Sequence, residues 1–196
     1  RFPAAMLDDM MAERITQANA ATRLVAGSDA IGGIGDWYLS NGIVEAVIDD
    51  AGFAPDLLAA GVQAPLQNVL SPTGGTLVDL GLVGKGNDQL TQVFQVANLN
   101  PQNAFFYTQV SASAAPEVAK VTAQGFLIFP PLSTPSSPTL LVQTEYSLLP
   151  GATALTIATT VINAGKTAAP VFNITDAVPL SARALLPFAP FPGRGF

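Results

Sequence analysis

Histidine and cysteine are both absent from this 196-residue chain. Without histidine, Ser–His–Asp triads, Cys–His pairs and histidine-bound zinc are excluded, and without cysteine so are disulfides and thiolate metal sites. A serine nucleophile would need a lysine as its base, and Lys85, Lys120 and Lys166 lie in no motif that supports one. We therefore predict no catalytic residue, no metal site and no cofactor, with carboxylate chemistry as the one enzymatic alternative.

Charge is also scarce. Charged residues make up 11% of the chain, against about 25% in an ordinary soluble domain, so much of the surface has to consist of neutral side chains. Such a surface costs little to desolvate, because few ions lose their water. We therefore expect a surface that other protein chains cover. The alternative is an exported protein that simply uses neutral polar residues.

The same composition excludes two classes of partner. The net charge is −6 and the few lysines and arginines are scattered, so no basic stripe is present to neutralise nucleic-acid phosphates. The uncharged stretches are interrupted by proline, glycine and amide residues before they reach the ~20 apolar residues of a membrane-spanning helix. We predict neither nucleic-acid binding nor a membrane span. The chain begins at Arg1 and not at a methionine, which fits a signal peptide that has been removed or that lies outside this sequence, and we expect an extracytoplasmic location.

The first segment has the periodicity of an amphipathic helix. Between Ala4 and Ala20, apolar residues recur at spacings of three and four; they are Leu7, Met10, Met11, Ile15 and Ala18. A glycine-rich stretch follows at Gly32 to Gly35. We predict that residues 1–34 form an N-terminal helix and a linker. The helix is expected to pack on the rest of the domain or, alternatively, to dock on a neighbouring chain.

From Asp36 onward the pattern changes to short β-type runs separated by turn residues. Asn41-Gly42 predicts a hairpin, and Pro150-Gly151 separates two runs with clear alternation. The predicted strands are Asp36–Leu39, Ile43–Ile48, Gly75–Leu80, Gln92–Ala97, Ala104–Val110, Lys120–Phe129, Thr139–Leu148, Thr153–Ile162 and Ala169–Val178. This spacing, without alternating helices, predicts an all-β, antiparallel β-sandwich over residues 35–180.

Three strand and turn motifs resemble a known family. They are GDWYLSNGIVEAVID (35–49), SPTGGTLVDLG (71–81) and LLVQTEYSLLPGATALTIATTVINAG (140–165). Together they are similar to galactose-mutarotase-like supersandwich domains, which stand beside carbohydrate-active or metallohydrolase modules of exported bacterial proteins. The resemblance implies a supersandwich-like fold. Mutarotase-type catalysis uses histidines with a carboxylate, and this chain has no histidine, so the resemblance implies no catalytic residue here.

Four residues are candidates for ligand binding. Trp37 and Tyr107 are large aromatics that could stack on a sugar ring, although aromatics of sandwiches also serve the core. Asn87 and Asp88 could contact a ligand, and a hard cation could sit there or at Asp49-Asp50, although adjacent polar turn residues also bond the nearby backbone. A pair of acids for glycoside cleavage is the enzymatic alternative; the acids considered are Asp36, Glu45, Asp49, Asp50, Asp79, Asp88, Glu145 and Asp176.

The last segment is rich in proline, phenylalanine and glycine, and residues 181–196 are predicted to form an extended tail. Its apolar side chains are candidates for an interface with another chain; they are Leu185, Leu186, Phe188, Phe191 and Phe196. The sequence therefore predicts a non-catalytic structural or protein-interaction β-sandwich subunit of an extracytoplasmic assembly. The alternative is a carbohydrate-binding module of a larger exported enzyme, with a glycan as its ligand.

Overall fold

The computed structural model describes residues 9–51, 74–100 and 103–178. Within them, two four-stranded antiparallel sheets and one two-stranded sheet account for the regular structure, apart from one short helix, α1 (Ala20–Arg23). The first sheet contains, in spatial order, β1 (Met11–Arg14), β2 (Trp37–Ser40), β3 (Val44–Ile48) and β4 (Leu77–Leu82). The second contains β6 (Phe105–Ala115), β7 (Val118–Leu127), β8 (Leu140–Leu148) and β9 (Thr156–Asn163). The small sheet pairs β5 (Phe94–Ala97) with β10 (Ile174–Ala177).

The prediction of an all-β, antiparallel sandwich is confirmed. The two large sheets pack face to face and share one hydrophobic core, to which Leu39 and Ile48 of the first sheet and Val121 and Tyr146 of the second contribute. All four are fully buried, or nearly so. Burial of one such aliphatic side chain contributes about 1.5–3 kcal/mol, so this shared interior is the main source of stability.

Both predicted hairpins are present. β2 pairs with β3 across Asn41-Gly42, and β8 pairs with β9 across Pro150-Gly151. The Asn41 side chain also connects the two sheets, because its Nδ2 donates to the carbonyl oxygens of Leu149 and Ala152, each at 2.8 Å. The tips of two hairpins from opposite sheets are therefore joined by one buried amide.

The prediction of a helix between Ala4 and Ala20 is wrong for the residues that the structure describes. Met11–Arg14 form strand β1, which pairs with β2, and α1 begins only at Ala20. The reason is that this segment contacts apolar surroundings on both sides. Met10 packs in the core between the sheets, whereas Met11 packs with Ile15 on the other side of the first sheet. When successive apolar residues pack into two different layers, the apolar positions of the segment also fall three and four residues apart, as they do in an amphipathic helix. Residues 4–8 lie outside the described part.

The outward side of the first sheet is covered by the chain that follows β1. Ile15, Ala20 and Val25 pack there against Tyr38 and Val47 of β2 and β3. As a result every residue of β3 is buried, which is the pattern of a strand covered on both sides. The one described helix, α1, is far too short to cross a membrane.

Gly125 of β7 is a point where the fold depends on the absence of a side chain. A Cβ atom at Gly125 would lie 1.8 Å from the carbonyl oxygen of Phe106 and 2.7 Å from the Cα of Tyr107, next to the register shift between Tyr107 and Gln109. We predict that Gly125→Ala lowers the free energy of unfolding by roughly 1–3 kcal/mol or more, because the β6–β7 ladder has to move.

Urea denaturation measures this effect. Gly33→Ala is the matched control, since a Cβ at Gly33 meets nothing nearer than Asp36 Oδ2 at 3.8 Å, and its effect should stay within about 0.5 kcal/mol. Equal stability of Gly125→Ala and the wild type would contradict the packing described here.

Candidate functional site

Three aspartates meet at the open end of the β2–β3 hairpin. Asp36 precedes β2, and Asp49 and Asp50 follow β3, so the pairing of Trp37 with Ile48 brings them together. Asp36 uses both carboxylate oxygens on the backbone. Its Oδ1 accepts from the N–H of Asp50 at 3.1 Å, and its Oδ2 accepts from the N–H of Gly33 at 2.7 Å. Asp36 therefore fastens the glycine-rich loop to the end of the hairpin.

Trp37 belongs to this cluster. Its indole Nε1 donates to Asp50 Oδ1 at 2.9 Å, and Arg14 forms an ion pair with the other oxygen of the same carboxylate. The Arg14 guanidinium also lies over the Trp37 ring, 5.6 Å from its centroid. One face of the half-buried ring is thus occupied by a cation. Trp37, which the sequence suggested as a stacking platform for a sugar ring, therefore contacts other residues of the protein in this structure.

Asp49 has a strongly perturbed acidity. Burial raises the pKa of Asp49 to about 7, and the neighbouring charge of Asp36, a hydrogen bond shared with Asp36 and the charge of Asp50 act in the same direction. A hydrogen bond with the backbone of Asp50 opposes them. Two carboxylates that share a proton are a known arrangement for acid–base chemistry. Here one of the two, Asp36, is committed to backbone N–H groups, which favours a structural role for the pair.

Asp79 fastens the same loop from β4. Its side chain is fully buried, and its two oxygens accept from the backbone N–H groups of Ile31 and Gly32 at 2.8 and 3.0 Å. Burial raises the pKa of Asp79 to about 6 even though both of these hydrogen bonds act to lower it. The loop that covers the first sheet is therefore attached through carboxylates rather than through apolar contact alone.

Asn87 and Asp88 bond the neighbouring backbone. Asn87 Oδ1 accepts from the N–H of Leu82 at 2.9 Å. Asp88 is fully buried, and its Oδ1 accepts from the N–H groups of Leu80 and Leu90 at 2.9 and 3.1 Å. Its Oδ2 has no hydrogen-bond partner among the described residues. Across residues 9–51, 74–100 and 103–178, no group of three or more acidic side chains is arranged to hold a metal ion.

Tyr107 lies inside the sandwich. Only 1% of its surface is exposed, and its hydroxyl is within 2.9 Å of Gln95 Oε1 and 2.6 Å of Thr144 Oγ1. Gln95 in turn donates to Asp176 at 2.9 Å. A sugar ring cannot stack on a side chain in this position, so the structure gives Tyr107 the core role that was the alternative interpretation.

The remaining acids considered from the sequence are dispersed. Glu45 accepts from the Tyr38 hydroxyl at 3.1 Å, and Glu145 pairs with Lys120 at 3.0 Å on the second sheet. The five apolar tail residues, Leu185, Leu186, Phe188, Phe191 and Phe196, lie outside the described part, and their role as an interface stays a prediction.

The second sheet carries a surface that the sequence analysis missed. We call the side of β6–β9 that faces away from the first sheet the outer face. The strand registers align one apolar residue from each strand in a row across it; the row is Phe106, Phe126, Leu141 and Ile162. The two phenylalanine rings stack with centroids 5.1 Å apart, whereas Leu141 and Ile162 are 42% and 56% exposed.

The other rows of the outer face are neutral. The next row consists of amides and one hydroxyl, namely Gln109, Gln124, Gln143 and Thr160, and Gln124 donates to Gln143 at 2.9 Å. The two rows beyond it hold serine, threonine and alanine, with one lysine and one glutamate that pair with each other. The alternation of apolar and polar residues in β8 and β9 indicated that these strands have an outward side, but only the strand registers show which residues of that side are neighbours.

The acid cluster predicts an unusual pH dependence of stability. The folded protein holds a proton on Asp49 up to about pH 7, whereas the unfolded chain releases it near the ordinary aspartate pKa of about 4. The stabilisation is thus complete below about pH 4 and is lost as the pH rises to about 7, and Asp79 acts in the same direction up to about pH 6. The chain has no histidine to titrate in this range.

Urea denaturation at pH 5 and pH 8 tests this dependence. We expect the wild type to be less stable at pH 8, and Asp49→Asn to reduce the difference by on the order of 1–3 kcal/mol, because the amide does not ionise. Wild-type stability that increases from pH 5 to pH 8, or an unchanged difference in Asp49→Asn, would contradict this assignment.

Similarity to known proteins gives no further assignment. Comparison with protein-family models, with curated proteins and with solved structures found no match for this chain.

Proposed function

We propose that this chain is a non-catalytic β-sandwich module that binds another protein through the outer face of its second sheet. The observation that carries the proposal is the cross-strand row that ends in exposed Leu141 and Ile162. An exposed apolar strip beside neutral polar residues is a surface that a partner can desolvate at low cost. The extracytoplasmic location and the relation to supersandwich domains remain predictions from the sequence.

The charge pattern of the outer face supports a partner of low charge. Lys120 and Glu145 are its only ionic residues along the β6–β9 registers, and they neutralise each other at 3.0 Å. A strongly charged partner would find no opposite charge here, whereas a neutral protein surface would meet amides, hydroxyls and apolar groups. Interface cores of proteins are likewise depleted in charge.

Glycan binding is less well supported. Of the two aromatic residues selected for stacking on a sugar, Tyr107 is buried and Trp37 is engaged by Arg14 and Asp50. The Phe106 and Phe126 rings stack on each other and are also buried. We therefore propose protein binding, and not glycan binding, as the function.

Site-specific photo-cross-linking tests the proposal. We expect a photoreactive amino acid at Gln124, on the outer face, to form a discrete adduct with a protein in an extract of the source organism. The same group at Ser28, which is exposed on the loop that covers the opposite side of the sandwich, should give no such adduct and is the matched control.

The captured protein then provides a quantitative test. Leu141→Asn combined with Ile162→Asn should weaken its binding by roughly tenfold or more, because the exposed apolar end of the row is lost. Thr156→Asn, three rows away on the same face, should leave the affinity within a factor of two to three, as the control. Unchanged affinity of the double variant for the captured protein would contradict the proposal. Binding of the wild type to a glycan array that is abolished by Trp37→Ala would also contradict it.

A further inference from the structure

Strand β9 is an edge of the second sheet in the described part of the chain. The backbone N–H of Ala164, just beyond β9, donates to the carbonyl oxygen of Thr139 beside β8 at 2.8 Å. In antiparallel strands both backbone groups of one residue point the same way, and the direction alternates along the strand. The even-numbered residues of β9 therefore bond β8, and Ile157, Thr159 and Val161 direct their N–H and C=O groups toward the open edge.

Nothing in the sequence of β9 obstructs a neighbouring strand. Its eight residues include no charged residue, no proline and no glycine, and its register with β8 is regular throughout. Natural sheet edges are usually protected by lysine, proline or a bulge. Two other edges of the large sheets carry such protection: β1 contains Glu13 and Arg14, and β6 has a register shift after Tyr107.

The hydrophobic core is also incomplete at β9. Its inward side chains, Ile157, Thr159 and Val161, are only half-buried, whereas the residues opposite them on β8 are fully or almost fully buried. A further strand beside β9 would cover these three side chains and satisfy the outward backbone groups at the same time. The strand that would fit this edge is uncharged and about as long as β9.

We propose that a second copy of this chain supplies that strand, through antiparallel pairing of β9 with β9 around Thr159. This inference goes beyond the proposed function, because it uses the open edge of the second sheet rather than its outer face. In this register Ile157 faces Val161 of the other copy on the inner side, and Ala158 faces Thr160 on the outer side. Every outward N–H meets a carbonyl oxygen, no like charges meet, and the two second sheets become one continuous eight-stranded sheet.

Charge placed on β9 tests the pairing. Ala158→Lys combined with Thr160→Lys puts like charges opposite each other in the dimer, and both positions are exposed in the single chain. We expect a dimer for the wild type by analytical ultracentrifugation, and a dissociation constant raised roughly tenfold or more in the lysine variant. Gln109→Lys combined with Ser111→Lys, equally exposed on β6, is the matched control and should leave the dimer intact.

Two further measurements keep the outcome clear. Mixing the lysine variant with Ala158→Glu combined with Thr160→Glu should restore a mixed dimer, because each lysine then faces a glutamate. The chain has no cysteine of its own, so mixing Ala158→Cys with Thr160→Cys should give a disulfide-linked dimer under mild oxidation, whereas Ser111→Cys should not.

The proposal is overturned by a wild type that stays monomeric, by a lysine variant that dimerises like the wild type, or by loss of the dimer in the β6 control. Failure of the charge-swapped mixture, with both variants folded by circular dichroism, has the same meaning. None of these results affects cross-linking from Gln124 to a different protein, so the failure of self-pairing and the failure of the proposed function are separable.

Discussion

Alternation of side chains between a dry interior and an outer side is the constraint on which this structure depends. On β7 and β8, Val121 and Tyr146 are buried while their neighbours Thr122 and Glu145 face outward. Because the period is two, a slip by one residue would move every apolar side chain of a strand to the wrong side. The core therefore fixes the registers, and the registers in turn create the rows of the outer face. The outer surface is a consequence of interior packing.

Several of the few charged residues serve the backbone. Asp36, Asp79 and Asp88 each accept two backbone N–H groups, and two of the three carry the loop that covers the first sheet. Buried N–H groups need partners, since an unpaired one is costly, and a loop over a buried sheet cannot find them in a ladder. The aspartates supply these acceptors. Along the β6–β9 registers of the second sheet, by contrast, Lys120 and Glu145 are the only charged residues.

Local signals allowed the strands and hairpins to be predicted. Asn41-Gly42 and Pro150-Gly151 mark turns through backbone conformation, and both flanking pairs form as expected. The hairpin around Gly42 also placed Asp36 opposite Asp49, so part of the aspartate cluster could have been found from the sequence. The helix assigned to the first segment failed because Met10 and Met11 serve two different apolar layers, which a single periodicity cannot represent.

The apolar row of the outer face could not be predicted from the sequence pattern. Its apolar row joins Phe106 and Ile162, which are far apart in the chain, and their alignment depends on three successive strand registers. One of these registers shifts between Tyr107 and Gln109, and no local residue pattern announces that shift. The burial of Tyr107 is similarly a product of tertiary packing, since aromatic residues on strands serve cores and ligands alike.

The mutual neutralisation of Lys120 and Glu145 has a kinetic consequence. The pair adds no net charge to the outer face, so this face offers an uncharged partner no electrostatic steering. Association there should proceed at the rate of unsteered encounters, on the order of 10⁵–10⁶ M⁻¹s⁻¹, and added salt should change this rate little. Complexes formed on such a surface owe their affinity to slow dissociation rather than to fast association.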